Sequence, residues 1–124
     1  MDDRGELAAL YRGIPQNDIG VQSDVIENAP KAEAVIMMLR AMSPQLMITD
    51  EISSGEDASA IAQCFGTGVS VIGTTHGESV EEIEARETLK PLIGGSGFRR
   101  IILLQKEGVG LNMRIRGSVR EVTV

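Results

Sequence analysis

Gln45-Leu46-Met47-Ile48-Thr49-Asp50-Glu51 and, further on, Val69-Ser70-Val71-Ile72-Gly73-Thr74-Thr75-His76-Gly77 decide how this chain folds. Each is a short apolar run that breaks into polar residues at its C-terminal end, the form of a buried strand. Between them, Glu56–Phe65 is an Ala-rich stretch of helical character, stopped by Gly66-Thr67-Gly68. Before them, Asn28-Ala29-Pro30 opens a helix, because proline is tolerated in a first turn whose N–H has no intrahelical partner. Ala32, Val35, Ile36 and Leu39 then recur at helical spacing, Met38 and Met42 widen the stripe, and Ser43-Pro44 ends it.

Beyond the second strand, Ser79 and Glu82 stand at capping-box spacing and predict a helix from Val80 to about Thr88, which Glu82 and Arg86 support at i,i+4. A Gly94-Gly95-Ser96-Gly97 linker precedes an apolar strand at Arg100–Leu104. After a turn at Glu107–Gly110, Leu111, Met113 and Ile115 alternate with Asn112, Arg114 and Arg116, and Val119–Val124 is a further candidate strand. Residues 1–28 show little periodicity and many turn residues. Helices alternating with strands predict an α/β fold: a mostly parallel sheet with helices on both faces and an antiparallel C-terminal edge.

The 124 residues, 42% apolar and 24% charged, suit one domain, with an α/β part at 1–97 and a strand-rich tail at 98–124. A net charge of −6 argues against a general nucleic-acid clamp, which needs a basic surface. The single cysteine, Cys64, excludes an intrachain disulfide and a cysteine-based zinc cluster. No apolar run approaches the roughly 18 residues of a membrane span. The acidic start Met1-Asp2-Asp3-Arg4 is no secretory signal, so a cytoplasmic location is expected. Tyr11, Phe65 and Phe98 are the aromatics, so the core must be aliphatic and methionine-filled. Charge is uneven: residues 1–97 carry 6 basic and 16 acidic side chains, and 98–124 carry 6 and 2. The basic tail either faces something negative or presents solvated strand faces.

In an open parallel sheet, ligands sit at the carboxyl ends of the strands. Asp50-Glu51 and Thr74-Thr75-His76-Gly77 fall there. A strand ending in Asp-Glu has the form of a Walker B element, in which Asp holds Mg²⁺, usually through water, and Glu activates the attacking water. The same pattern also opens ordinary solvated loops. His76, the only histidine, is either a structural hydrogen-bonding residue or a residue that faces phosphate. A P-loop would need Gly-x-x-x-x-Gly-Lys-Ser/Thr, yet Lys31, Lys90 and Lys106 follow Pro30, Leu89 and Gln105. The sequence contains no Walker A element.

Several stretches, in order, resemble the stage III sporulation protein AA family: Asp2-Asp3-Arg4-Gly5-Glu6-Leu7-Ala8, Gly13-Ile14-Pro15-Gln16, Ser23-Asp24-Val25-Ile26 and Ala29-Pro30-Lys31-Ala32-Glu33. Met37–Pro44, Asp50-Glu51-Ile52, Gly68-Val69, Thr74–Gly77, Lys90-Pro91-Leu92 and Phe98-Arg99-Arg100 continue the match. The resemblance implies a RecA-like ATPase related to the type II and IV secretion ATPases, using ATP and Mg²⁺. It would act as a homo-oligomer with membrane channel proteins of the sporulation complex, peripheral to the mother-cell membrane. Carried over, Asp50 and Glu51 match the Walker B pair, with Asp50 holding Mg²⁺ through water, and Thr74–Gly77 matches the histidine motif. Asp3 and Glu6 match an acidic box that helps to activate water, and Arg40 and Arg86 match candidate inter-subunit arginines. Ser53-Ser54-Gly55 and Ala34 depart from the family pattern. On this reading Met1 falls where the third strand runs, the P-loop strand is missing, and the chain is the C-terminal half of a family member. The competing expectation is a non-catalytic interaction module that has lost ATP hydrolysis.

Overall fold

The computed structural model describes residues 1–93, 95, 97–107 and 110–117, with side chains through Leu104. Helix α1, Lys31–Ala41, leads to strand β1, Leu46–Thr49, then α2, Gly55–Gly66, and strand β2, Ser70–Gly73. Helix α3, Val80–Ala85, runs into a 3₁₀ turn at Glu87–Leu92, and strands β3, Arg100–Glu107, and β4, Gly110–Gly117, follow. The candidate strand at Val119–Val124 lies outside the described residues.

Local chemistry sets the helix ends. Ser54 caps α2 by accepting from the Asp57 N–H at 3.0 Å, and the Asp57 carboxylate accepts from the Ser54 N–H at 3.3 Å. This reciprocal box satisfies two donors that a helix start leaves free. At the other end Gly68 takes a positive φ of 81°, Val69 N–H donates to Cys64 O at 3.1 Å and Gly68 N–H to Phe65 O at 3.3 Å. That pairing is a Schellman motif, whose left-handed position costs glycine no Cβ clash. Ser79 caps α3 through Glu82 N–H at 3.1 Å, but the Glu82 carboxylate takes the Glu78 N–H at 2.7 Å instead of closing a box on Ser79.

β1 and β2 pair in parallel, Leu46 opposite Ser70 through Thr49 opposite Gly73. Met1 extends the parallel order on the other side of β1: its amino group donates to Ile48 O at 2.6 Å and its carbonyl accepts from Asp50 N–H at 3.3 Å. One face of this sheet is closed. Met47 and Thr49 are buried there, and Met47 belongs to a core cluster that includes Val35 and Met38 of α1, Ile61 and Cys64 of α2, and Leu89 and Leu92 of the 3₁₀ turn. The Cys64 thiol, 3.8 Å from the Met47 sulfur, is pushed up in pKa by this burial.

Two expectations change. The sheet was expected to carry helices on both faces; among the described residues only one is covered, and Leu46, Ile48 and Ile72 stand 47%, 43% and 54% exposed on the other. The alternation of exposed and buried residues along Leu46–Thr49 is the signature of a one-sided strand, hidden from a sequence reading because the buried parity, Met47 and Thr49, is less apolar than the exposed one, Leu46 and Ile48. The antiparallel edge is also a separate element. β3 pairs with β4 from Arg100 opposite Gly117 to Glu107 opposite Gly110, and neither joins β1 or β2. The chain is redirected before β3 by a bridge in which Phe98 N–H donates to Leu92 O at 2.7 Å, and by the Phe98 ring set edge-on against Phe65 at 5.2 Å. No described helix is long and apolar enough to cross a membrane.

Candidate functional site

The carboxyl ends of β1 and β2 stand side by side because the strands are parallel and in register. Two hydrogen bonds lock the segments beyond them: Ile52 N–H donates to Thr74 O at 2.7 Å, and Thr75 Oγ1 donates to Ile52 O at 3.2 Å. A Cβ at Gly73 would stand 2.7 Å from Ile52 Cδ1 and 3.3 Å from Thr49 Cγ2, so a side chain there would displace the Ile52 methyl that packs beside the strand ends.

Asp50 sits at the centre of the site, 1% exposed. Its Oδ2 accepts from the Arg4 N–H at 2.9 Å, and its Oδ1 lies 2.6 Å from the Lys31 ammonium. Lys31, itself buried, also donates to Asp50 O at 3.3 Å and to Glu51 O. Glu51 points away from this pair and is partly exposed. The Arg4 guanidinium contacts its Oε2 at 2.5 Å, and His76 Nε2 lies 3.8 Å from the same oxygen. Both Asp50 Oδ1 and Glu51 Oε2 are buried and accept no hydrogen bond of ordinary geometry, so each relies on its neighbouring cation.

Asp2 braces the site from the side. It is buried, and its carboxylate accepts from the N–H groups of Leu7, Ala8 and Ala9 at 3.0, 2.8 and 3.3 Å. Burial works to raise its pKa, but these N–H groups together outweigh it and hold the carboxyl below its ordinary value.

The structure brings together Asp50, Glu51 and His76 of the residues expected from sequence. His76 is 86% exposed and stands at the rim of a cleft of about 380 Å³, with Ile52, Ile83 and Phe98 among its lining residues. Asp3 and Glu6 are exposed on the turn that Asp2 organises. Arg40 is exposed on α1, and Arg86 pairs with Glu82 one helical turn earlier.

Three residues of the site escaped the sequence reading: Asp2, Arg4 and Lys31. Signals existed for two of them. Lys31 continues the buried stripe of Ala34, Val35 and Met38, so a lysine on that face had to find a buried partner. Asp2 precedes the turn at Gly5, where an aspartate commonly collects the N–H groups that follow.

The family described as "Sporulation stage III, protein AA" matches residues 1–121. Stage III sporulation protein AA of Bacillus subtilis (strain 168) is 42% identical over 106 residues, covering 86% of this chain and 34% of the relative. The chain thus spans about a third of that relative's length. No solved structure matches it. With the family match running through both strand ends and the loops that bear Asp50 and His76, the chain belongs to the stage III sporulation protein AA family.

Proposed function

We propose that this chain supplies the water-activating carboxylates of an oligomeric, RecA-like ATPase that works in sporulation with a membrane channel complex. The observation that supports the reading is the Asp50–Glu51 pair at the carboxyl end of β1. Asp50 is buried and pinned, while Glu51 turns outward beside Arg4 and the strand-end His76.

Each residue then has one task. Asp50 is the protein's carboxylate toward Mg²⁺, reached through water. Both Asp50 oxygens are already engaged, Oδ2 by the Arg4 N–H and Oδ1 by the Lys31 ammonium at 2.6 Å, so an ion brought with nucleotide would meet this carboxylate through water and share it with those partners. Mg²⁺, when bound, neutralises phosphate charge. Glu51 Oε2 is engaged by Arg4, which leaves Oε1 to orient the attacking water and take its proton. His76, exposed at the end of β2, faces phosphate. Asp3 and Glu6 lie on the neighbouring turn as auxiliary carboxylates. Arg40 and Arg86 reach a neighbouring subunit, Arg86 after releasing Glu82. The sequence has no Gly-Lys, so this function needs a phosphate cradle from a separate stretch of polypeptide.

Mixing the chain with the upstream half of a family member that carries a P-loop tests this. Nucleotide binding and phosphate release should appear together in the mixture and in neither part alone. A folded mixture that binds no nucleotide would contradict the proposal. The open apolar face of Leu46, Ile48 and Ile72 favours a second reading, a non-catalytic interaction module. That module would keep its partner after Asp50→Asn and Glu51→Gln substitution, and the mixture would stay inactive.

A further inference from the structure

Lys31 is buried on the first turn of α1, in the same stripe as Ala34, Val35 and Met38, and a buried lysine is retained only where its charge is met. Its ammonium has three donors and no acceptor. All three directions lead to one dipeptide: Asp50 Oδ1, Asp50 O and Glu51 O. Both side chains are almost fully enclosed, 7% exposed for Lys31 and 1% for Asp50, so the pair is screened from water. Neither carbonyl belongs to the β1–β2 ladder, whose register ends at Thr49 opposite Gly73. Without Lys31, Glu51 O would lose this donor, Asp50 O would keep the Thr49 hydroxyl at 3.2 Å, and Asp50 Oδ1 would be orphaned.

We infer that Lys31 is the positioning residue of the Asp50–Glu51 pair. One ammonium balances the buried charge of Asp50 and fixes the two peptide planes, and that orientation sends the Glu51 side chain toward Arg4 and His76. The functional half of this inference rests on the proposed roles of Asp50 and Glu51. Arginine cannot substitute, because its planar fork spreads its donors where the three acceptors converge on one point.

The test uses the full chain at one fixed concentration, with Lys31→Met, Lys31→Arg, Asp50→Asn, the Lys31→Met/Asp50→Asn double variant, and Val35→Ala as a control. Val35 is a buried aliphatic residue on the same helix, so its truncation reports helix packing alone. Lys31→Met should lower the unfolding midpoint by roughly 10 °C or more, and adding Asp50→Asn should recover part of the loss, since the stranded charge is then gone. His76 is the only histidine, so its imidazole C–H signals in proton NMR need no assignment. They should shift in Lys31→Arg and in the double variant, and stay in place in Val35→Ala. An additive cycle, or His76 signals unchanged in both Lys31 variants, would overturn the inference. If Lys31→Met does not fold, a folded double variant is itself the non-additive rescue the inference expects and an unfolded one counts against it, while Lys31→Arg still gives the His76 readout. Failure of ATP turnover in the reconstituted mixture would remove the ATPase reading while leaving the His76 result intact, so the two failures are separable.

Discussion

The two faces of the β1–β2 sheet differ sharply in cover. Side by side on the same strand, Met47 is 1% exposed and Ile48 is 43% exposed, although both are large and apolar. The first face has α1, α2 and the 3₁₀ turn packed on it, and the second has no described helix. Composition cannot make this distinction, since an apolar residue looks alike under cover and in the open. The site sits on the boundary: Asp50 is enclosed beyond the end of β1, and Glu51 turns outward.

The sharpest way to break the comparison is to place the same charge on each face. Met47→Asp strands an unpaired carboxylate among Val35, Ile61 and Cys64 and should abolish the cooperative unfolding transition seen by circular dichroism. Ile48→Asp should keep the fold and reduce self-association in light scattering, because it interrupts an exposed apolar patch. Equal damage from both would mean that the open face is covered in solution.

Both faces were legible as strands but not as faces. In β1 the buried parity holds Met47 and Thr49 and the exposed one Leu46 and Ile48, so apolar character does not mark the closed face, and helices on both sides were the natural expectation. Helix positions were readable because their ends carry local chemistry: Pro30 before α1, Gly66-Thr67-Gly68 after α2, and Ser79 before α3. Asp50, Glu51 and His76 were readable because strand-end polar residues are conspicuous after an apolar run. Arg4 and Lys31 join them through pairings with Asp50 across 46 and 19 positions, and no local pattern names that partner, whereas Asp2 collects the N–H groups of the turn that follows it.

Asp2 should make the fold sensitive to acid. Its folded carboxyl pKa lies below the ordinary value of 3.8, so the stability it contributes is complete above that value and is lost as pH falls through the folded pKa. Asp2→Asn should flatten the decline of the unfolding midpoint below about pH 4. An unaltered acid limb would remove Asp2 from that role.

Glycines sharpen the comparison further. Gly73→Ala drives a Cβ into Ile52 and should cost about 1–3 kcal/mol in urea unfolding. Gly66→Ala, at the last turn of α2, meets nothing within 4 Å and should stabilise by about 0.5–1 kcal/mol. A stabilising Gly73→Ala would show that the strand ends have room to spare.

The assignment of Glu51 as the water-activating carboxylate is tested most directly by turnover measured beside nucleotide binding in the reconstituted mixture. Glu51→Gln keeps the shape and one acceptor oxygen but loses the charge and cannot take a proton. It should lower ATP hydrolysis by about 100-fold or more while nucleotide affinity stays within a few-fold, since phosphate contacts supply the affinity. Hydrolysis within a few-fold of wild type at unchanged affinity would contradict the assignment.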